Sequence, residues 1–89
     1  MYLGKVTGSV VATIKADNLT GLKLLVVTKV DPNGRLTNER IVAADTVGAG
    51  MGDSVLVVTG SSARFTSSTA EAAVDAAIVG VVDRVDLGK

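Results

Sequence analysis

Apolar and polar residues alternate along the first third of the chain. From Lys5 to Lys15, Val6, Gly8, Val10, Ala12 and Ile14 fall on one side. Lys5, Thr7, Ser9, Thr13 and Lys15 fall on the other, and only Val11 breaks the pattern. A period of two predicts a half-buried strand, and the small residues Gly8 and Ala12 on its apolar side predict a bend or a close backbone neighbour. After a polar turn at Asp17-Asn18-Leu19-Thr20-Gly21, alternation resumes from Lys23 to Val30. There Leu22, Leu24, Val26, Thr28 and Val30 oppose Lys23, Leu25, Val27 and Lys29. Asp31-Pro32-Asn33-Gly34 is a strong turn signal, because Pro32 presets φ and Asn33-Gly34 tolerates left-handed backbone; a hairpin is expected. The polar run Arg35 to Arg40 reads as a loop leading into a third strand from Glu39 to Asp45.

The chain is organised around Val42 to Arg64, VAADTVGAGMGDSVLVVTGSSAR, in which a glycine-rich turn feeds an uncharged apolar strand from Ser54 to Thr59. A strand holding Val55, Leu56, Val57 and Val58 has strong β preference and must be covered on both faces. Gly60-Ser61-Ser62 closes it with residues suited to a turn or a helix start. Farther on, Ser68-Thr69-Ala70-Glu71 matches a capping box, and the alanines that follow favour helix. A last strand is expected from Ile78 to Val85, apolar on both faces, before the short tail Asp86 to Lys89. Five or six short strands with regular turns predict a mainly β fold, a small OB-like barrel, as one domain over residues 1–89.

That central stretch resembles the EutN/CcmL family of bacterial microcompartment vertex proteins. So do Gly4-Lys5-Val6-Thr7-Gly8-Ser9-Val10-Val11-Ala12-Thr13 and Val74-Asp75-Ala76-Ala77-Ile78-Val79-Gly80-Val81-Val82-Asp83. The three blocks occur in family order and at family-like spacing over nearly the whole chain. The resemblance implies a small β-barrel that assembles as a ring of five in a shell. Such a homopentamer would cap the vertices and touch hexameric and trimeric shell proteins. It also implies one short helical turn at Ser61 to Phe65 and a variable loop from Phe65 to Ala73, in competition with the helix start at Ser68.

Composition bears on both readings. At 89 residues the chain has a modest core of its own, yet 47% of it is hydrophobic and valine fills 16 positions. Either the barrel core is unusually rich in valine or some of this surface lies between subunits, where obligate contacts resemble a core cut in half. Nine basic and nine acidic residues cancel, so no net field collects phosphate backbones or an anionic membrane. The only aromatics are Tyr2 and Phe65, too few for the stacking platforms of a single-strand-binding barrel. Neither nucleic acid nor a membrane is therefore an expected partner. The lack of cysteine fits a reducing compartment. With no charged-then-apolar start and no apolar run near twenty residues, the expected location is cytoplasmic.

Candidate chemistry is sparse. Without histidine or cysteine the chain lacks the usual groups that titrate near neutrality. Asp45, Asp53, Asp75 and Asp83 lie at strand ends or turns, where aspartate commonly binds backbone. Gly48-Ala49-Gly50-Met51-Gly52-Asp53 lacks the lysine-serine pair of a phosphate loop, and its glycine spacing misses the dinucleotide fingerprint; it also opens a strand, where phosphate loops open a helix. No catalytic residue, cofactor or metal site is expected, and the chain is not expected to be an enzyme. Two candidate sites remain. Gly48 to Gly52 could converge on a ring axis because its side chains are small, or be a barrel-corner turn. Arg64, in the block that matches the family, could fork onto Asp75 within or between subunits, with Asp83 also at the interface; otherwise Arg64 is a solvated surface residue. The alternative function is a monomeric OB-type binding module.

Overall fold

The computed structural model describes residues 1–11, 21–60, 63 and 75–88. Five strands run through them: β1 (Tyr2–Val10), β2 (Lys23–Val30), β3 (Leu36–Asp45), β4 (Ser54–Thr59) and β5 (Ala76–Val81). They close into a barrel in the order β1-β2-β3-β5-β4, with β1 also paired to β4. All pairings are antiparallel except β3 with β5, which meet in parallel at Ala44↔Ala77 and Asp45↔Ile78. This is the expected OB-like barrel, with five strands among the described residues.

Inward-facing residues from every strand fill the barrel. Val6, Leu25, Val27, Ala43, Val55, Val57, Ala76 and Ile78 form one buried cluster, flanked by Tyr2 and Ile41. Burying each valine or isoleucine side chain is worth roughly 1.5–3 kcal/mol. Gly4 also faces inward, paired with Lys29 on one side and Val55 on the other. A Cβ there would collide with the Val27 side chain, so the core is packed onto bare backbone at this point.

Bulges govern which way side chains point. In β1, Val6 pairs with Val27 but Gly8 pairs with Val26, leaving Thr7 as an extra residue. An extra residue shifts the phase of alternation. Val6 therefore points inward, whereas Gly8 and Val10 share the outer face with Val26 and Leu24. This corrects the single apolar side expected for Val6, Gly8 and Val10. The strand also starts earlier, at Tyr2, and ends at Val10, because Tyr2 to Lys5 pair along β4. The expected continuation over 12–15 lies outside the described residues.

In β3, Thr28 pairs with Arg40 and Val30 with Leu36, so Thr37 to Glu39 oppose Lys29 alone. The Thr37 hydroxyl donates to the Lys29 carbonyl at 2.8 Å and accepts from the Glu39 N–H at 3.2 Å. The polar run expected to be a loop is thus the bulged start of a strand, Leu36–Asp45. The final strand is Ala76–Val81 rather than Ile78 to Val85, since pairing with β4 already begins at Thr59↔Ala76. The hairpin turn forms as expected. Asp31 caps it, its Oδ1 accepting from the N–H groups of Asn33 and Arg35, each at 2.9 Å. Gly60, with φ of 65°, follows β4, and Ala63 is buried. The rest of the expected helical turn at 61–65, the loop at 65–73 and the capping box at Ser68 fall outside the described residues.

Candidate functional site

The β3–β4 connection, Thr46 to Asp53, is fastened by side chains at both ends. Asp45 accepts from the Val47 N–H at 3.1 Å, and Asp53 Oδ2 from the Gly50 N–H at 2.8 Å. Lys23 Nζ donates to the Ala49 carbonyl at 2.6 Å and lies 3.8 Å from the Asp45 carboxylate, whose side chain is only 3% exposed. Backbone bonds tie the loop to its neighbours. The Gly52 N–H donates to the Val6 carbonyl and the Val6 N–H to the Asp53 carbonyl, each at 2.9 Å. Thr46 reaches β5, its hydroxyl donating to the Ile78 carbonyl at 2.7 Å.

Gly48 and Gly52 have φ of 81° and 83°, the left-handed region that side chains with a Cβ rarely adopt. Between them the chain dips inward: Ala49 is fully buried in the main cluster, while Met51 at the tip is 68% exposed. The loop is therefore a small stopper at one end of the barrel. Ala49 was not among the residues the sequence marked as core, because its glycine neighbours make it read as turn.

Outside the barrel two apolar faces stand on opposite sides. Gly8, Val26 and Val42 form one row across β1, β2 and β3, beside Val10 and Leu24; Val42 is 47% exposed. This face is centred on β2. The strand order places the β4–β5 seam diametrically across from β2. There Leu3 pairs with Leu56 and Leu56 with Gly80. Beside them Val79 packs on a second buried cluster, Val58, Ala63 and Ala77.

Reactive groups are dispersed. Among the described residues no three histidine, cysteine, aspartate or glutamate side chains converge to hold a metal. Below the tail, Leu3, Val30, Val55, Val82 and Val85 help line a groove of about 380 Å³, with Lys5 and Asp31 among its polar residues. Tyr2 lies at the barrel edge with Lys29 Nζ 5.4 Å from its ring centroid. Burial pushes the Tyr2 phenol above its ordinary pKa, and the Glu39 charge adds to the shift. This set offers no nucleophile paired with a base.

Of the expected interface residues, Asp75 is exposed and its carbonyl accepts from the Gly60 N–H at 2.7 Å. Asp83 is exposed in the segment after β5. Arg64 and its expected fork onto Asp75 lie outside the described residues. Sequence reasoning missed Lys23, which alternation marks as an ordinary polar strand position; no local signal announces its bond to a loop 26 positions away.

Residues 1–83 match the family model described as ethanolamine utilisation protein EutN/carboxysome. The chain is 48% identical over 86 residues to the bacterial microcompartment shell vertex protein GrpN of Rhodospirillum rubrum, covering 97% of each chain. It is 45% identical over 87 residues to the carboxysome shell vertex protein CcmL of Synechocystis, covering 98% of this chain and 87% of that one. The solved pentameric GrpN shell protein from Rhodospirillum rubrum superposes with a TM-score of 0.88 at 46% identity, covering both chains completely. The family model, the full-length identity and the superposition agree, and the chain belongs to the EutN/CcmL family.

Proposed function

We propose that this protein is a structural corner subunit, a homopentamer that caps the vertices of a bacterial microcompartment in the cytoplasm. The observation that carries this reading is end-to-end likeness, at nearly half identity, to proteins named shell vertex proteins. The work is geometric. A sheet tiled by six-fold units stays flat, and closing it into a polyhedron needs five-fold units at the corners. Hexameric and trimeric shell proteins are the partners this role requires. No catalysis is assigned to the chain.

In this reading the Gly48–Gly52 loops meet near the ring axis. In support, Gly48 and Gly52 have open space where a Cβ would stand, and the loop is held rigid from behind by Lys23 and Asp53. Arg64, Asp75 and Asp83 supply polar contacts at the subunit boundary. Size-exclusion chromatography with light scattering tests the assembly: a mass about five times the 9.0 kDa chain is expected. Co-expression with shell tiles tests the role, with closed particles forming only when the protein is present. A chain that stays monomeric, or is never incorporated, overturns the proposal. Normal rings with an unaltered central opening in Gly50→Phe would remove the loop from the axis.

A further inference from the structure

We infer that the groove below the tail is a binding site for a short aliphatic carboxylate, its chain lying against branched apolar side chains and its head at the Lys5 ammonium. The groove measures about 380 Å³, within the roughly 300–1,000 Å³ of clefts that hold small molecules. Leu3 and Val30 belong to its wall, and the tail forms the other side. The Val82 N–H donates to the Ser54 carbonyl at 2.8 Å, one step beyond the Val55↔Val81 pair of β4 and β5. Farther along, Arg84 and Asp86 pair with each other at 3.2 Å on the solvent side. Val85 and Leu87 alternate with them and line the groove. These two remain 50% and 60% exposed, so apolar surface stands uncovered beside a space that a hydrocarbon chain would fill.

The polar groups select the head. Lys5 is exposed and lines the groove. The ion pairs among the described residues, Lys23–Asp45, Lys29–Glu39 and Arg84–Asp86, do not include it. Ser54 stands directly across from Lys5 in the β1–β4 pairing and adds an exposed hydroxyl. The lining acid among the described residues, Asp31, has its charge met by its own turn, since Oδ1 accepts from the Asn33 and Arg35 N–H groups, each at 2.9 Å. An ammonium without a counter-charge, beside a hydroxyl and an aliphatic wall, complements a monoanion with an apolar body. A dianionic phosphate would leave one charge unmatched against that wall.

The test titrates the assembled protein, labelled at its valine and leucine methyls, with hexanoate and follows the methyl resonances. Saturable shifts are expected at Leu3, Val30, Val82, Val85 and Leu87, half complete at millimolar concentration, with none at Val26 and Val42 on the β2-centred face. Lys5→Gln is expected to weaken binding about tenfold, because a charge-assisted bond is lost, whereas Lys5→Arg keeps it. Val85→Ser combined with Leu87→Ser, both on the exposed tail, is expected to abolish saturation while circular dichroism stays that of the wild type. Hexylammonium has the same chain and the opposite charge, and is expected not to saturate these methyls. Shifts that spread over the barrel without saturating, equal binding of hexanoate and hexylammonium, or wild-type affinity in Lys5→Gln or the double variant overturns the site. Light scattering on the same samples separates this from the ring reading. Rings of full mass that bind no hexanoate overturn the site alone, and a monomer that binds it overturns the ring reading alone.

Discussion

Gly4 shows how tightly one residue can be specified by its surroundings. The space its side chain would need is occupied by Val27, itself fully buried. Gly4→Ala forces overpacking, and a loss of about 1–3 kcal/mol is expected in chemical denaturation, with the slope unchanged. Tyr2 offers a second test, because it is the only tyrosine in the chain. Its phenol is raised by burial and by Glu39, so absorbance titration of the folded protein should give a midpoint above the ordinary value of about 10. A raised folded pKa means that the folded state holds the proton more tightly. The associated stability is present below the unfolded value and is lost as pH rises through the folded one. Tyr2→Phe should remove that part of the alkaline destabilisation. A midpoint at or below the ordinary value contradicts the burial.

At the scale of elements, the β3–β4 loop should depend on Lys23. Its ammonium holds a loop carbonyl and faces a buried carboxylate, but the side chain is 55% exposed, so solvent screens much of the effect. Lys23→Met is expected to cost about 1 kcal/mol or less of global stability while speeding hydrogen exchange at the Gly50 and Gly52 amides. Unchanged exchange there would show that the backbone bonds suffice. The bounds of β2 and β4 were legible in the sequence to the residue, since each is an apolar-rich run flanked on both sides by turn chemistry. β1 and β3 were not, and the reason is physical in each. Thr7 adds one residue and inverts the faces that follow; Thr37 to Glu39 add two more opposite Lys29. A bulge has no hydrophobic period of its own and, where its residues are polar, looks like loop. The candidate loop was legible as a turn from its glycines, but its buried alanine and its distant lysine are tertiary facts.

For the whole molecule, zero net charge and the apolar rows on the outside of the barrel predict association that survives salt. Raising ionic strength to molar levels screens charge pairs almost completely. It should leave the ring mass unchanged, and sulfate should strengthen assembly by favouring burial. Dissociation at high sodium chloride would mean that charge pairs, such as those expected of Arg64, Asp75 and Asp83, dominate the contact.

The glycine loop and the Asp31–Gly34 hairpin lie at the two ends of β2, the first bonded to Lys23 and the second following Val30. Rotation about a single axis never exchanges those ends. A ring built by rotation about one axis has a top unlike its bottom, whichever way β2 is inclined to that axis. Set into a closed wall, such a piece acquires a cytosolic side and a luminal side, and one inserted upside down would offer its neighbours the wrong rim.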